Sequence, residues 1–116
     1  MIITFATQKG GAGKTTLAIA FANYLSVVSE RKIKGYDFDY QKSFFNKWKE
    51  DEESELPKLY EVEVIGEDDE PFTDLEKLIE LKESDEIYLF DLAGTLDQKY
   101  SDLLIYSDFI IIPFEY

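Results

Sequence analysis

The sequence predicts an α/β fold in which a mainly parallel sheet is flanked by helices. Short apolar runs typical of strands alternate along the chain with segments of helical periodicity. The first apolar run also leads through a glycine-rich turn directly into a helix. A chain of 116 residues, 45% of them hydrophobic, can bury one core, so we expect a single domain over residues 1–116.

The first half of the chain supplies two strands and a helix. Residues 2–6 form a short apolar run with β-branched side chains, which predicts a buried strand. From Thr15 to Val28, apolar side chains recur at steps of three and four residues, which predicts a helix that starts beside the glycine-rich turn. A second strand is expected over residues 33–38, although Gly35 weakens that pattern.

An amphipathic helix and an edge strand are expected next. Phe44, Phe45 and Trp48 lie at helical spacing, which favours core packing over the alternative of a partner-binding patch. The acidic run 50–53 is expected to be a solvated loop or a frayed helix end. Residues 60–65 alternate with period two, which indicates a strand with one wet face at a sheet edge.

The second half continues the alternation. A helix is expected around residues 75–81 with Thr73 as its N-cap, because Glu76 completes a capping-box pattern. Residues 87–91 form a compact apolar strand that ends in a carboxylate. A helix over residues 98–106 and a strand over residues 109–113 complete the prediction.

Composition excludes several kinds of chemistry. The chain has no cysteine and no histidine, so disulfides, thiolate or imidazole metal sites and Ser-His triads are excluded. Catalysis must therefore use Lys, Asp, Glu, Ser, Thr, Tyr or a metal held by oxygen. There is no signal-peptide pattern and no apolar run long enough to span a bilayer, so we expect a cytoplasmic protein without membrane attachment.

Charge is divided unevenly between the two halves. Residues 1–49 hold eight Lys/Arg and three Asp/Glu, whereas residues 50–116 hold four and twenty-two. A net charge of −13 repels phosphate backbones, so direct DNA binding by this segment is not expected. The acidic runs 50–55 and 67–70 are expected to be solvated, with a site for a basic partner as the alternative.

The stretch TQKGGAGKTT, residues 7–16, has the properties of a phosphate cradle. Its backbone amides can wrap phosphate oxygens at the positive end of the following helix, where Lys14 can reach them. The hydroxyl of Thr15 can ligate Mg²⁺. The common pattern G-x-x-x-x-G-K-[ST] fails, however, because Gln8 stands where a glycine is required.

The stretch KGGAGKTT instead resembles the deviant Walker A motif of the ParA/MinD family of P-loop ATPases, KGGxGK[ST][ST], at every fixed position. The resemblance implies ATP and Mg²⁺ as cofactors and Lys14 as a catalytic residue. It also implies that Lys9 crosses to the nucleotide of a second subunit in an ATP-dependent homodimer, although a solvated lysine beside phosphate in the same chain stays open. The implied nucleotide-binding residues are Gly10, Gly11, Ala12, Gly13, Lys14, Thr15 and Thr16, with Gly94 from a later loop.

Carboxylates after two predicted strands extend the resemblance. Asp37 and Asp39 match the D-x-D-x-Q stretch that the family carries after its second strand, although Tyr40 stands where proline is usual. The resemblance implies that Asp39 orients the attacking water or accepts its proton, and that Asp37 helps to hold hydrated Mg²⁺. Taken alone, the two aspartates also suit a turn.

The strand IYLFD ends in Asp91, as a Walker B strand does, so the implied metal set is Thr15, Asp37 and Asp91. Gly94, in DLAG, would present its amide to the terminal phosphate. Asp108 and Pro113 also resemble the next strand of the family and are expected to be structural.

The resemblance implies a nucleotide-switched ATPase dimer in DNA partition or conjugative DNA transfer, acting with a partner protein of that machinery. The opening residues are also similar to ParA-type proteins of conjugative elements from Bacteroides-like bacteria. Family members continue beyond this length, so the domain is expected to be incomplete at its C-terminus, with the last strand next to the first and otherwise uncovered. The alternatives are a truncated, non-hydrolysing nucleotide-binding or interaction module and, less favoured, a small-molecule kinase or ligase resembling dethiobiotin synthetase.

Overall fold

The structure, a computed structural model, describes residues 1–6, 12–38, 42–52, 59–65, 74–92 and 100–112. The side chains of residues 12–15 and 51–52 also lie outside that description. Within the described ranges, strands and helices alternate as the sequence predicts. The elements are β1 (Ile2–Phe5), α1 (Ala12–Val28), β2 (Ile33–Asp37), α2 (Ser43–Glu52), β3 (Glu61–Val64), α3 (Leu75–Glu83), β4 (Ile87–Asp91), α4 (Ser101–Tyr106) and β5 (Phe109–Ile111).

The five strands form one sheet in the order β3-β2-β4-β1-β5, and every described pair is parallel. The predicted α/β fold is therefore confirmed. The strand that ends in Asp91 lies beside the first strand, and β5 lies on the other side of that strand, as expected from the family resemblance. Strand β3 is at the opposite edge, and its alternating exposure confirms the prediction of one wet face.

Helices α1 and α2 cover one face of the sheet. Ala18 and Ala22 of α1 and Phe44 of α2 are fully buried there, so small side chains allow α1 to lie close to the strands. Phe45 and Trp48 are partly buried against the same cluster, and the Trp48 indole donates a hydrogen bond to the Tyr60 carbonyl at 2.9 Å. Core packing of these aromatic residues is therefore confirmed.

Helices α3 and α4 cover the opposite face, which is rich in aromatic residues. Tyr36 stacks between Tyr88 and Phe90 of β4, with ring centroids 6.3 and 5.1 Å away. Leu78 of α3 and Leu103 of α4 are fully buried in the same cluster. The two helices therefore share one apolar layer beneath the sheet.

The amino ends of the central strands are joined by charged groups. The Asp108 carboxylate accepts hydrogen bonds from the Ile2 amide at 2.8 Å and from the Lys82 ammonium at 3.0 Å. Burial tends to raise the pKa of Asp108, but the Ile2 amide and Lys82 outweigh it and hold the pKa below its ordinary value. Asp108 thus links α3, β1 and β5, which confirms its structural role; Pro113 lies outside the described residues.

The structure defines three helix boundaries, and those of α3 and α4 differ from the prediction. Asp74, rather than Thr73, is the N-cap of α3, and its carboxylate accepts the Glu76 amide at 3.0 Å. An aspartate at this position combines a hydrogen-bond acceptor with a negative charge at the positive end of the helix. Helix α2 continues to Glu52, so part of the acidic run 50–53 is helical. Helix α4 begins at Ser101, later than predicted.

Strand β5 and the residue after it leave apolar side chains exposed, as the family resemblance implies for the last strand. Phe109, Ile110 and Ile112 are 57%, 46% and 62% exposed. In the described part of the chain, β5 pairs with β1 alone. No helix in that part is both long and apolar enough to cross a membrane.

Candidate functional site

The last residues of three central strands, Phe5, Asp91 and Asp37, lie side by side at the carboxyl edge of the sheet and are called the row below. Asp91 of β4 is in register with Phe5 of β1 on one side and with Asp37 of β2 on the other. Side chains in register on parallel strands point to the same face, and alternate residues of these strands pack against α1 and α2. The row therefore faces α1 and α2.

Both aspartates of this row are fully buried. Two carboxylates on neighbouring strands repel each other when ionised, and the repulsion is strongest where water is excluded. A cation at this edge would relieve the repulsion, and oxygen ligands suit a hard cation such as Mg²⁺. Among the described residues, no group of three or more acidic side chains is placed to hold a metal, so further ligands would have to come from other positions.

The N-terminus of α1 lies at the same edge of the sheet. Strand β1 ends at Phe5 and α1 begins at Ala12, so residues 6–11 connect the row to the helix. Phe5 contacts Phe21 of α1 edge-to-face, with ring centroids 5.6 Å apart. The first-turn amides of a helix have no partner within the helix and carry its positive dipole end, which favours an anion there.

Asp37 is fixed by contacts from three elements. Its carboxylate accepts a hydrogen bond from the Phe45 amide of α2 at 2.9 Å. Its carbonyl accepts the amide of Ile65, which follows β3, at 2.9 Å, and the next amide in the chain, that of Phe38, donates to the Asp91 carbonyl at 3.0 Å. Sequence reasoning missed the contact with α2. The sequence did carry a signal for this contact. Lys42, directly before α2, has no acceptor in its side chain and cannot cap the helix, so the acceptor has to come from elsewhere.

Asp91 lies between β1 and β2 at the centre of the sheet. The amide of the next residue, Leu92, donates to the Phe5 carbonyl at 3.1 Å, so the end of β4 is held against β1 as well as β2. Leu92 is fully buried on the opposite face. These contacts place Asp91 at the edge, next to Asp37.

The other predicted site residues are described in part or not at all. Thr16 is exposed in the first turns of α1. For Ala12, Gly13, Lys14 and Thr15 the backbone belongs to α1, but their side chains lie outside the described residues. Lys9, Gly10, Gly11, Asp39 and Gly94 lie wholly outside them.

A solved structure of a plasmid partition protein from Borrelia burgdorferi has a similar fold, with a TM-score of 0.63 and 23% sequence identity. The match covers 97% of this chain and 64% of that one, so this chain spans less than two thirds of the partition protein. A search of curated protein sequences gave no significant match.

The family model described as the CobQ/CobB/MinD/ParA nucleotide binding domain matches residues 3–109. That range runs from β1 to the first residue of β5 and includes both buried aspartates and the start of α1. The chain therefore belongs to the CobQ/CobB/MinD/ParA nucleotide-binding family of P-loop proteins.

Proposed function

We propose that this chain binds ATP with Mg²⁺ at the carboxyl edge of the sheet and hydrolyses it as a ParA-type, nucleotide-switched homodimer in the cytoplasm. The observation that carries the proposal is that α1 begins at the same edge of the sheet as the buried Asp37 and Asp91. A triphosphate needs amide and ammonium donors, and its magnesium ion needs oxygen ligands. The family assignment supports the same conclusion.

The proposed site residues form two groups, one that would bind the phosphates and one that would bind the cation. Backbone amides from Gly10 to Thr16, with the ammonium of Lys14, would hold the phosphate oxygens, and Gly94 would add an amide. Thr15, Asp37 and Asp91 would hold Mg²⁺, which when bound neutralises charge on the phosphate oxygens. All three offer hard oxygen ligands, so the residues present suit this cation.

Hydrolysis requires a proton acceptor and extra positive charge. Asp39 would accept the proton of a water molecule that attacks the terminal phosphorus, while the bond to the ADP oxygen breaks. Lys9, supplied by the second copy, would neutralise the charge on the transferring phosphoryl group. The products are ADP and inorganic phosphate.

We propose DNA partition or conjugative DNA transfer as the setting of this switch, with a partner protein from that machinery. The plasmid partition protein from Borrelia burgdorferi supports a role in partition only in that its fold is similar to that of this chain. The net charge of −13 opposes direct contact between this segment and DNA. Contact with DNA would then be made through other segments or partners.

Phosphate release tests the enzymatic part of the proposal. Lys14→Ala should abolish Mg-dependent release from ATP, because the loop loses its central cation. Lys47→Ala is the matched control, since Lys47 is exposed in α2 and forms a surface ion pair with Glu50 at 3.7 Å. Equal release by wild type and Lys14→Ala would refute the assignment.

Light scattering tests the dimer. Wild type should double in mass on addition of Mg·ATP, whereas Lys9→Ala should bind nucleotide and stay monomeric, because its charge would act across the interface. Dimerisation of Lys9→Ala to the wild-type extent would exclude the role in trans.

A non-hydrolysing nucleotide-binding module is the second candidate, and Tyr40 favours it because the family usually has proline at this position of the Asp39 stretch. Saturable ATP binding without phosphate release in wild type would establish this candidate. Binding together with release would establish the ATPase.

A further inference from the structure

Helix α2 is capped by a side chain from the sheet rather than by the residue that precedes it. Lys42 occupies the N-cap position, since its carbonyl accepts the Asn46 amide at 2.8 Å. Its ammonium group can donate but cannot accept a hydrogen bond, and its backbone adopts the left-handed φ of 53°. The Phe45 amide, in the first turn, is instead bound by the Asp37 carboxylate at 2.9 Å.

Asp37, the residue that provides this cap, is itself held by contacts with neighbouring elements. Asp37 is held on both sides by strands, through the Ile65 amide and through the bond between Phe38 and Asp91. Beside the capped amide, Phe44 is fully buried over Gly35 of the same strand. One polar and one apolar contact therefore fix the beginning of α2 to β2, and both contacts start from residues of β2.

We propose that Asp37 is a positioning residue that holds the start of α2 against the end of β2. Only residues 39–41 join the last described residue after β2, Phe38, to Lys42, so the same contact sets where the stretch bearing Asp39 is attached. The link to Asp39 rests on the proposed function, whereas the cap itself does not. The cap exists without nucleotide or Mg²⁺, whereas cation binding requires Mg²⁺, so measurements on the nucleotide-free protein separate the two roles.

Amide hydrogen exchange in the nucleotide-free protein tests the cap. Asp37→Asn keeps an acceptor oxygen and should leave exchange at Phe45 within about threefold of wild type, because Asn and Asp are similar as caps. Asp37→Ala should raise exchange at Phe45 and its neighbours in α2 by about 5- to 30-fold, the factor expected from loss of a cap. Asp74→Ala is the matched control, since it removes the cap of α3 and should leave α2 unchanged.

Phosphate release at saturating Mg·ATP tests the positioning. Asn can still offer an oxygen to Mg²⁺ whereas Ala cannot, so the rates are compared with Mg²⁺ in saturating excess, where a role in cation binding alone predicts equal rates. The proposal predicts that the Asp37→Asn variant hydrolyses ATP at least about fivefold faster than the Asp37→Ala variant, because Asn keeps the cap of α2 and Ala loses it. Equal turnover would overturn the positioning of Asp39.

The remaining outcomes are also decisive. Unchanged exchange in Asp37→Ala, or exchange in Asp37→Asn as fast as in Asp37→Ala, would overturn the cap. If Asp37→Ala does not fold, exchange at Phe45 in Asp37→Asn decides alone, with wild-type protection in support and its loss against. If wild type releases no phosphate, the proposed hydrolysis fails and the positioning of Asp39 for it fails too, while the exchange experiment still decides the cap.

Discussion

Replacing Gly35 by alanine should destabilise the protein, although general strand preferences predict the opposite. None of the described glycines has a positive φ, so the backbone at Gly35 suits alanine, which is preferred to glycine in a strand by about 0.5–1 kcal/mol. The added Cβ, however, would lie 2.8 Å from two ring carbons of Phe44 and 3.2 Å from a methyl group of Val62. Carbon atoms pack best at about 3.5–4.0 Å, so the ring would have to move by roughly 1 Å.

Phe44 has little room for that movement because it is fully buried. Overpacking a core in this way costs about 1–3 kcal/mol, which outweighs the strand preference. We therefore expect Gly35→Ala to lower the free energy of unfolding by about 1–2 kcal/mol. Urea unfolding followed by circular dichroism measures this directly.

A double-mutant cycle supplies the control. In a Phe44→Leu background the added methyl group has space, so the cost of Gly35→Ala should fall by at least about 1 kcal/mol. The explanation is wrong if Gly35→Ala stabilises the wild-type protein, or if it lowers the free energy of unfolding equally with phenylalanine and with leucine at position 44. Close packing of α2 on β2 would then not be the reason for glycine at position 35.

Two further substitutions test contacts at the amino ends of the strands. Asp108→Asn should lower the free energy of unfolding at pH 7 by about 0.2–1 kcal/mol, because Asp108 is partly exposed and Lys82 loses its charge partner. In the folded protein the pKa of Asp108 lies below its ordinary value of 3.8. The contribution of Asp108 to the free energy of unfolding is therefore complete above pH 3.8 and is lost as the pH falls through the lower pKa of the folded state. Unfolding curves that differ equally at pH 7 and pH 2 would contradict this. Arg31→Met should cost about 1 kcal/mol, because the guanidinium donates to the Ser84 carbonyl at 3.2 Å and to the Glu86 carbonyl at 3.4 Å; exchange of the amides at the start of β4 reports the loss.

Local pattern was sufficient for the elements that position the site. The apolar run before the glycines and the helical spacing after them predicted β1 and α1, because each element is encoded within its own residues. The carboxylate at the end of IYLFD predicted Asp91 at the carboxyl edge for the same reason. The order of the strands, by contrast, came from the family resemblance, since periodicity carries no information about which strands are neighbours.

Contacts between distant elements were not predictable from the residues. The family resemblance implied Asp37 as a cation ligand, but its bond to the Phe45 amide depends on where α2 lies against β2. Gly35 weakened the predicted strand, whereas the structure shows that its missing side chain makes room for Phe44. At α3, Thr73 and Asp74 both satisfy capping preferences, so pattern alone could not choose between adjacent residues.

Calorimetric titration of ATP with Mg²⁺ tests most directly whether the carboxyl edge of this sheet is a nucleotide site. Wild type should show saturable binding, and Lys14→Ala should bind at least about tenfold more weakly, a loss of about 1.4 kcal/mol, while Lys47→Ala binds as wild type does. Absence of binding to folded wild-type protein, or equal affinity of Lys14→Ala and wild type, would contradict the account.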